Sequence, residues 1–199
     1  METFIKKRKK VLSKRFDLIA DKLLNETILC TSENKYRICE IEFYFHHPKH
    51  QDDYTHQAPE QLNYGTWYFH KFGNHVTFKE GTWKGMDLTL GRKDNVYCGI
   101  LIRSIKNLDD KTFIEGPSKC VDAILKDCNC SKVKDFVNEE KMNVLANKRS
   151  LILKDEKLIK KKISKGIRIG LSDKYPHYQK KHYRFAIDTG LLKKKIKTE

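Results

Sequence analysis

Residues 35–45 read KYRICEIEFYF, and the alternation of apolar and polar side chains in this stretch decides the fold. Successive side chains of a β-strand point to opposite faces. The apolar face would carry Cys39, Ile41, Phe43 and Phe45. The polar face would carry Glu40, Glu42 and Tyr44. The pattern therefore predicts a strand with one apolar face and one face that holds two carboxylates and a phenol.

Further strands are predicted on the C-terminal side of this stretch. Strand patterns cover 65–72, 82–90, 96–105, 150–154, 166–171 and 183–188. Glycines in 73–81 predict a hairpin between the first two of these strands. The polar residues 46–64 form a loop, and loops of that length in compact domains are often functional.

Helices are predicted before and after these strands. Residues 10–25 place Leu12, Phe16, Ile19, Leu23 and Leu24 at helical spacing. Gly116 and Pro117 open a second helix that runs to Leu125, because proline suits the first helical position. The polar segment 131–149 is compatible with another helix. The fold class predicted is α+β, with a mainly antiparallel sheet and flanking helices. The chain is predicted to divide into a basic N-terminal segment with a helix at 1–28, the α+β domain at 29–192 and a basic tail at 193–199.

The composition limits the classes of protein to consider. The chain has 199 residues, enough for one domain with its own core, and 39% of them are hydrophobic, too many for a disordered polymer. It has 41 Lys and Arg against 26 Asp and Glu, a formal charge of +15, which favours a polyanionic partner. The codon bias of an AT-rich genome explains the lysine excess equally well. An apolar run of about 18 residues is absent, which excludes a membrane-spanning helix, and the start METFIKKRKKVL lacks the apolar region of a secretory signal.

Cysteine and histidine give little sign of a metal site. Six cysteines are scattered along the chain without a C-x-x-C pair, at 30, 39, 98, 120, 128 and 130. Buried thiols in a reducing compartment explain them better than disulfides or zinc. Solvated side chains similarly explain His46, His47 and His50. We therefore predict neither a metal nor a cofactor.

Arg103 is the first residue to suggest chemistry. It interrupts the most apolar predicted strand, where an unpaired arginine would be costly, so it needs a carboxylate or phosphate partner. Tyr68 and His70 share a face of another strand. A carboxylate, an arginine and several aromatic rings together suit a flat base and a hydrolytic water. Each of these residues also has a purely structural explanation. Glu42 would form a salt bridge on the face of its strand, and the tyrosines would be present because aromatic residues favour strands. Arg103 would form a buried ion pair that only stabilises the fold.

Seven short blocks then occur in an order that resembles a known family. They are C-E-I-E-F-Y (39–44), T-H (55–56), G-T-W-Y (65–68), G-I-L-I-R (99–103), G-P-S-K (116–119), R-I-G (168–170) and Y-R-F (183–185). From about residue 38 to 192 the chain resembles the alkyladenine (3-methyladenine) DNA glycosylases, as a divergent member. The resemblance implies one α+β domain with a curved antiparallel sheet and a hairpin that enters the DNA minor groove. It also implies a monomeric, cofactor-free enzyme of base excision repair that acts on double-stranded DNA.

The resemblance also implies roles for particular residues. Glu42 matches the catalytic acid that activates water, and Arg103 matches the arginine that supports it. The residues assigned to the base pocket are Tyr44, His56, His70, Asp87 and Tyr68. Those assigned to DNA binding are Phe72, Asn74, His75, Lys119 and Arg168, with the first three, or Phe78, as the intercalating residue of the hairpin. No lysine stands out as a Schiff-base nucleophile, so the enzyme is predicted to lack lyase activity.

Two departures from the family pattern bear on the substrate. Residues 57–67, QAPEQLNYGTW, replace a loop rich in arginine and glycine. Asp87 stands where the family has an asparagine that screens bases, and an ionised aspartate accepts hydrogen bonds but cannot donate them. We therefore expect an altered preference among bases, such as one for a base whose amino group faces Asp87.

Two other functions remain open on the sequence. One is a non-catalytic DNA-binding or damage-sensing protein on the same fold, and the other is an RNA-binding protein. The basic run Lys6–Lys10 favours the nucleus, with the cytoplasm as the alternative for a bacterial protein.

Overall fold

In the described part of the chain, ten strands form a curled sheet in which every paired strand runs antiparallel to its neighbour. The computed structural model describes residues 2–71, 84–139, 142–148 and 150–196. The strands are β1 (Thr27–Cys30), β2 (Lys35–His47), β3 (His50–Gln51), β4 (Tyr64–Lys71), β5 (Lys84–Leu90), β6 (Tyr97–Asn107), β7 (Phe113–Glu115), β8 (Ile152–Asp155), β9 (Ser164–Gly166) and β10 (Arg184–Ala186). The helices are α1 (Glu2–Asn25), α2 (Pro117–Asp127), α3 (Val133–Glu139) and α4 (Pro176–Gln179), with 3₁₀ turns at Pro59–Leu62 and Thr189–Leu191.

The strand β2 lies at the centre of the sheet, in the order β4-β5-β6-β2-β1-β8. One edge of β2 pairs with β6 along almost its whole length. The other edge pairs in turn with β1, β10 and β3. The register between β2 and β6 skips Cys39 on one strand and Arg103 on the other. This irregularity brings Arg103 beside the two glutamates of β2.

The helices α1 and α2 contribute to one continuous hydrophobic core with the sheet. Phe16 of α1 stacks on Phe43 of β2, with ring centroids 4.2 Å apart. Ile124 of α2 is fully buried in the same core. The C-terminal part of α1, from Phe16 onward, is thus packed against the sheet. The boundary expected at residue 28 stays a prediction.

The predicted fold class, α+β with a mainly antiparallel sheet, is confirmed. The prediction of a strand at 166–171 is wrong, because β9 ends at Gly166 and the following residues are irregular. Gly170 has a φ of +74°, which a β-strand does not accommodate. The loop predicted at 46–64 is shorter than expected, since β2 extends to His47 and pairs with β3. The predicted DNA-inserting hairpin lies outside the described residues.

Candidate active site

Arg103 of β6 joins the two glutamates of the polar face of β2. Its Nη1 donates to Glu42 Oε2 over 3.3 Å, and its Nε donates to Glu40 Oε1 over 3.2 Å. The Arg103 side chain is 12% exposed, whereas those of Glu42 and Glu40 are 0% and 1% exposed. Its predicted need for a carboxylate or phosphate partner is therefore met by two glutamates.

Glu42 accepts two further hydrogen bonds. The Tyr44 hydroxyl donates to Oε2 over 2.9 Å, and the backbone N–H of Ile169 donates to Oε1 over 2.8 Å. An ionised carboxylate can accept all these bonds together, because it carries no proton of its own. The carboxylate is thus held in a fixed orientation from three sides.

Glu40 lies deeper and belongs to a network that sequence analysis missed. Its Oε2 accepts a bond of 2.6 Å from the Ser104 hydroxyl, and its Oε1 accepts one of 2.5 Å from Arg184 Nε. Two glutamates and two arginines therefore balance their charges beneath the site, as buried charges require. Arg184 also donates to the backbone carbonyls of Lys194 and Lys195, which fixes the C-terminal segment beside the site.

A cleft of about 430 Å³ opens above these groups. Its lining includes Tyr44, His56, His70, Asp87 and Arg103, all of them site residues expected from the sequence. Glu42 does not line the cleft, but it is bonded to two residues that do, Tyr44 and Arg103. Tyr68 does not line it either, but its ring stacks on that of His70 with centroids 5.0 Å apart.

Asp87 connects two walls of the cleft. Its Oδ1 lies 3.0 Å from Nε2 of His70, and its Oδ2 accepts a bond of 3.2 Å from Nε2 of Gln61. The His56 ring stands edge-on to that of His70, with centroids 4.5 Å apart. Burial, followed by the nearby His70, lowers the pKa of His56. The expected choice of base by Asp87 stays a prediction; both of its oxygens already lie within hydrogen-bond distance of side chains of the protein.

The DNA-binding residues expected from the sequence are not all near the cleft surface. Lys119 is exposed in the first turn of α2, so its side chain is accessible to a phosphate. The prediction of a phosphate contact for Arg168 is wrong, because its side chain is 0% exposed and is paired with Asp52. Phe72, Asn74, His75 and Phe78 lie outside the described residues, as do the side chains of Lys6–Lys10.

Several lining residues were not foreseen from the sequence. They are Tyr54, Gln61, Leu101, Pro117, Ile169, Gly170, Leu171, Ser172 and Lys194. Most belong to irregular segments whose position depends on long-range contacts. Some signals were available in the sequence: Leu101, Pro117, Ile169 and Gly170 lie in the blocks that carry the resemblance, and Gln61 lies in the loop that departs from it.

The expected burial of the cysteines is largely confirmed. Cys30, Cys39, Cys98, Cys120 and Cys128 are buried, and Cys130 is partly exposed. Burial raises the pKa of the Cys39 and Cys98 thiols to about 12. Such thiols are poor nucleophiles at neutral pH. Across the described part of the chain, no group of three or more His, Cys, Asp or Glu side chains could hold a metal ion.

The fold and the site define a class: an α+β protein with a curled antiparallel sheet and a carboxylate–arginine pair beneath a cleft. No protein-family model matches the chain. Over 196 residues it is 38% identical to Uncharacterized protein L759 of Acanthamoeba polyphaga mimivirus, and the match covers 92% of this chain and 90% of the mimivirus protein. The chain therefore belongs to the same family as that mimivirus protein. Among the described residues, no helix is long and apolar enough to cross a membrane.

Proposed function

We propose that the protein is a DNA glycosylase that hydrolyses the N-glycosidic bond of a flipped, damaged or modified base in double-stranded DNA. An alkylated purine is the favoured substrate class, and the enzyme acts as a monomer without a cofactor or lyase step. One observation carries the proposal: Glu42, held by Arg103 and Tyr44, lies directly beneath a cleft that His56 and His70 also line or border.

The size and lining of the cleft suit a single base. Its volume of about 430 Å³ falls within the usual range of small-ligand sites. Tyr44 and the two histidines provide flat rings, and stacking on such rings contributes about 1–3 kcal/mol per base. That energy offsets the few kcal/mol that extrusion of a base from the duplex costs.

The chemistry follows from the position of Glu42. Cleavage of an N-glycosidic bond develops positive charge on the sugar, which a nearby carboxylate stabilises, and the same carboxylate can take a proton from the attacking water. The hydroxyl of Tyr44, which lines the cleft, donates to Oε2 of Glu42. The proposed reaction therefore requires this hydroxyl to give up its bond to Oε2 when the nucleotide enters, while the Tyr44 ring keeps its place against Arg168.

A specific observation favours a second candidate function. The Glu42 carboxylate has no exposed surface, so a protein that holds a base without cutting it would also fit this site. Such a protein would bind DNA and sense damage through the same cleft. An RNA-binding protein is the other alternative, and the experiment described next distinguishes all three functions.

The test uses duplex oligonucleotides that each carry one alkylated, deaminated or etheno purine. We expect the wild-type protein to leave an abasic site in at least one duplex, and Glu42→Gln to bind that duplex without releasing the base. Glu33→Gln, an exposed carboxylate outside the cleft, is the matched control and should cut like wild type.

Other outcomes select the alternatives. Damage-specific binding without product, unchanged by Glu42→Gln, would favour the non-catalytic protein. Tighter binding to single- or double-stranded RNA of the same sequence would favour the RNA-binding protein.

A further inference from the structure

A fully buried ion pair lies behind the cleft, between Asp52 and Arg168. Arg168 Nη1 and Nη2 donate to the two oxygens of Asp52 over 2.7 and 3.0 Å, and both side chains are 0% exposed. Removing two charges from water is costly, so such a pair is weak evidence for stability alone. Its two residues lie 116 positions apart and belong to the two irregular segments beside the cleft.

Arg168 also contacts two backbone carbonyls and several aromatic rings. Its Nη1 donates to the carbonyl of Phe43 over 3.0 Å, and its Nη2 donates to that of Tyr178 over 3.2 Å. Its guanidinium carbon lies 4.6 Å from the centroid of the Tyr44 ring. Arg168 therefore covers one side of Tyr44, and this contact restricts where that ring can move.

The next residue along the chain touches the carboxylate itself. The N–H of Ile169 donates to Glu42 Oε1 over 2.8 Å. Because one peptide bond joins the two residues, anchoring Arg168 on Asp52 also sets the direction of the Ile169 amide. The anchor therefore reaches two of the three groups that hold Glu42, the Tyr44 side chain and the Ile169 amide.

A second set of contacts joins the same two segments. The Tyr54 hydroxyl donates to the carbonyl of Ser172 and accepts a bond of 3.3 Å from the N–H of Tyr175. The Tyr54 and Tyr175 rings meet edge to face, with centroids 5.2 Å apart. These contacts thus join the loop that carries His56 to the segment that carries Ile169.

We propose that Asp52 and Arg168 are positioning residues that hold Tyr44 and the Ile169 amide in place around Glu42. The expected effect of these two residues on the rate of base release rests on the proposed glycosylase function. Their expected effect on the position of Tyr44 and the Ile169 amide does not. It replaces the phosphate contact expected of Arg168 from the sequence. A misplacement of about 1 Å at reacting groups can lower a rate roughly 100-fold.

The experiment compares wild type with Arg168→Lys, which keeps the charge but loses the paired donors, and Asp52→Asn, which keeps the shape. Asp188→Asn is the matched control, since Asp188 pairs with Lys161 away from the cleft. Hydrogen–deuterium exchange is followed in peptides that cover 167–172 and 97–107. The single-turnover rate of base release and the affinity for the damaged duplex are measured on the same proteins.

We expect both variants to exchange the amides of 167–172 about tenfold faster, with 97–107 unchanged. Base release should fall roughly 100-fold, with affinity within about threefold of wild type. Asp188→Asn should match wild type in every measurement. If the pair only stabilised the fold, its loss would accelerate exchange in both peptides. That result would overturn the proposal.

Two further results would also overturn it: unchanged exchange at 167–172 in both variants, or fast exchange there with base release at the wild-type rate. If wild type itself releases no base, the proposed function fails. The exchange data then still decide whether Asp52 and Arg168 hold the Ile169 amide.

Discussion

Gly99 of β6 lies so close to two cleft residues that a side chain does not fit there. A Cβ at Gly99 would stand 2.3 Å from Asp87 Oδ2 and 2.7 Å from Gln61 Nε2. Both of these side chains are buried and bonded to each other. The glycine therefore makes room for the contact that ties the loop carrying His56 to the sheet.

We expect Gly99→Ala to lower the free energy of unfolding by about 1–3 kcal/mol, because the buried neighbours cannot yield without losing contacts. Urea denaturation measures the change. Gly190→Ala is the control, since no atom lies within 4 Å of a Cβ there, and it should stay within about 0.5 kcal/mol of wild type. Equal effects of the two substitutions would contradict the close-packing argument.

Part of the site was predictable from the sequence, and the reason is physical. A charge such as Arg103 inside an apolar strand demands a partner, and alternation along β2 placed Glu42 and Tyr44 on one face. The same reasoning failed for Arg168, because nothing near it in sequence marks it as buried. Its partner Asp52 is 116 positions away, and only the folded chain brings them together.

At the scale of elements, the strand β2 was predictable and its surroundings were not. Its alternating pattern is local, and β1 and β3 on its second edge adjoin it in sequence, whereas β10 on the same edge comes from near the C-terminal end of the described chain. Residues 166–171 alternate like a strand, yet the amide of Ile169 bonds to a carboxylate rather than to a neighbouring strand. A specific side-chain contact thus overrides local pattern at the site.

The helix α1 should prove essential to the domain despite its basic N-terminal half. We expect Phe16→Ala to cost about 3–5 kcal/mol in the free energy of unfolding, since it removes a ring stacked on Phe43 in the core. Leu18→Ala is the control on the same helix, because Leu18 is 71% exposed, and it should change stability by less than about 0.5 kcal/mol. Urea denaturation of both variants checks this. A Phe16→Ala protein as stable as the control would show that the domain folds without the helix.

At the scale of the whole molecule, whose formal charge is +15, arginine and lysine side chains differ in where they lie. Arg37, Arg103, Arg168 and Arg184 are largely buried in internal contacts. The exposed positive charge is therefore carried mainly by lysine, a compact point charge suited to loose contact with phosphates. Under the proposed function this surface grips the DNA backbone in a salt-dependent way and leaves the choice of base to the cleft.

Buried phenols should make the molecule sensitive to alkali. Burial is the leading cause that raises the pKa of Tyr36, Tyr44, Tyr178 and Tyr183, and it raises that of Tyr68 to about 12. A phenol with a raised pKa in the folded state binds its proton more tightly there than in the unfolded chain. The stability it contributes is thus complete below about pH 10 and is lost as the pH rises above that.

Tyrosinate absorbance and far-ultraviolet circular dichroism, recorded together from pH 9 upward, test this expectation. Tyr64→Phe is the control, because Tyr64 is 77% exposed, and it should leave the pH at which the dichroism is lost unchanged. The buried Tyr36 should ionise only as the dichroism is lost, and Tyr36→Phe should remove part of that late signal. A single ionisation near pH 10 for all nine tyrosines in the folded protein would contradict the account.

The single-turnover rate of base release, for wild type against Glu42→Gln, tests the central claim most directly. It is measured at saturating enzyme on the damaged duplex that wild type cuts best, so that differences in affinity cancel. A carboxylate that acts as general base contributes typically about 100- to 10,000-fold, and we predict a loss in that range. Equal rates for the two proteins, or no base release by wild type from any duplex, would contradict the assignment of Glu42 as the catalytic residue of a glycosylase.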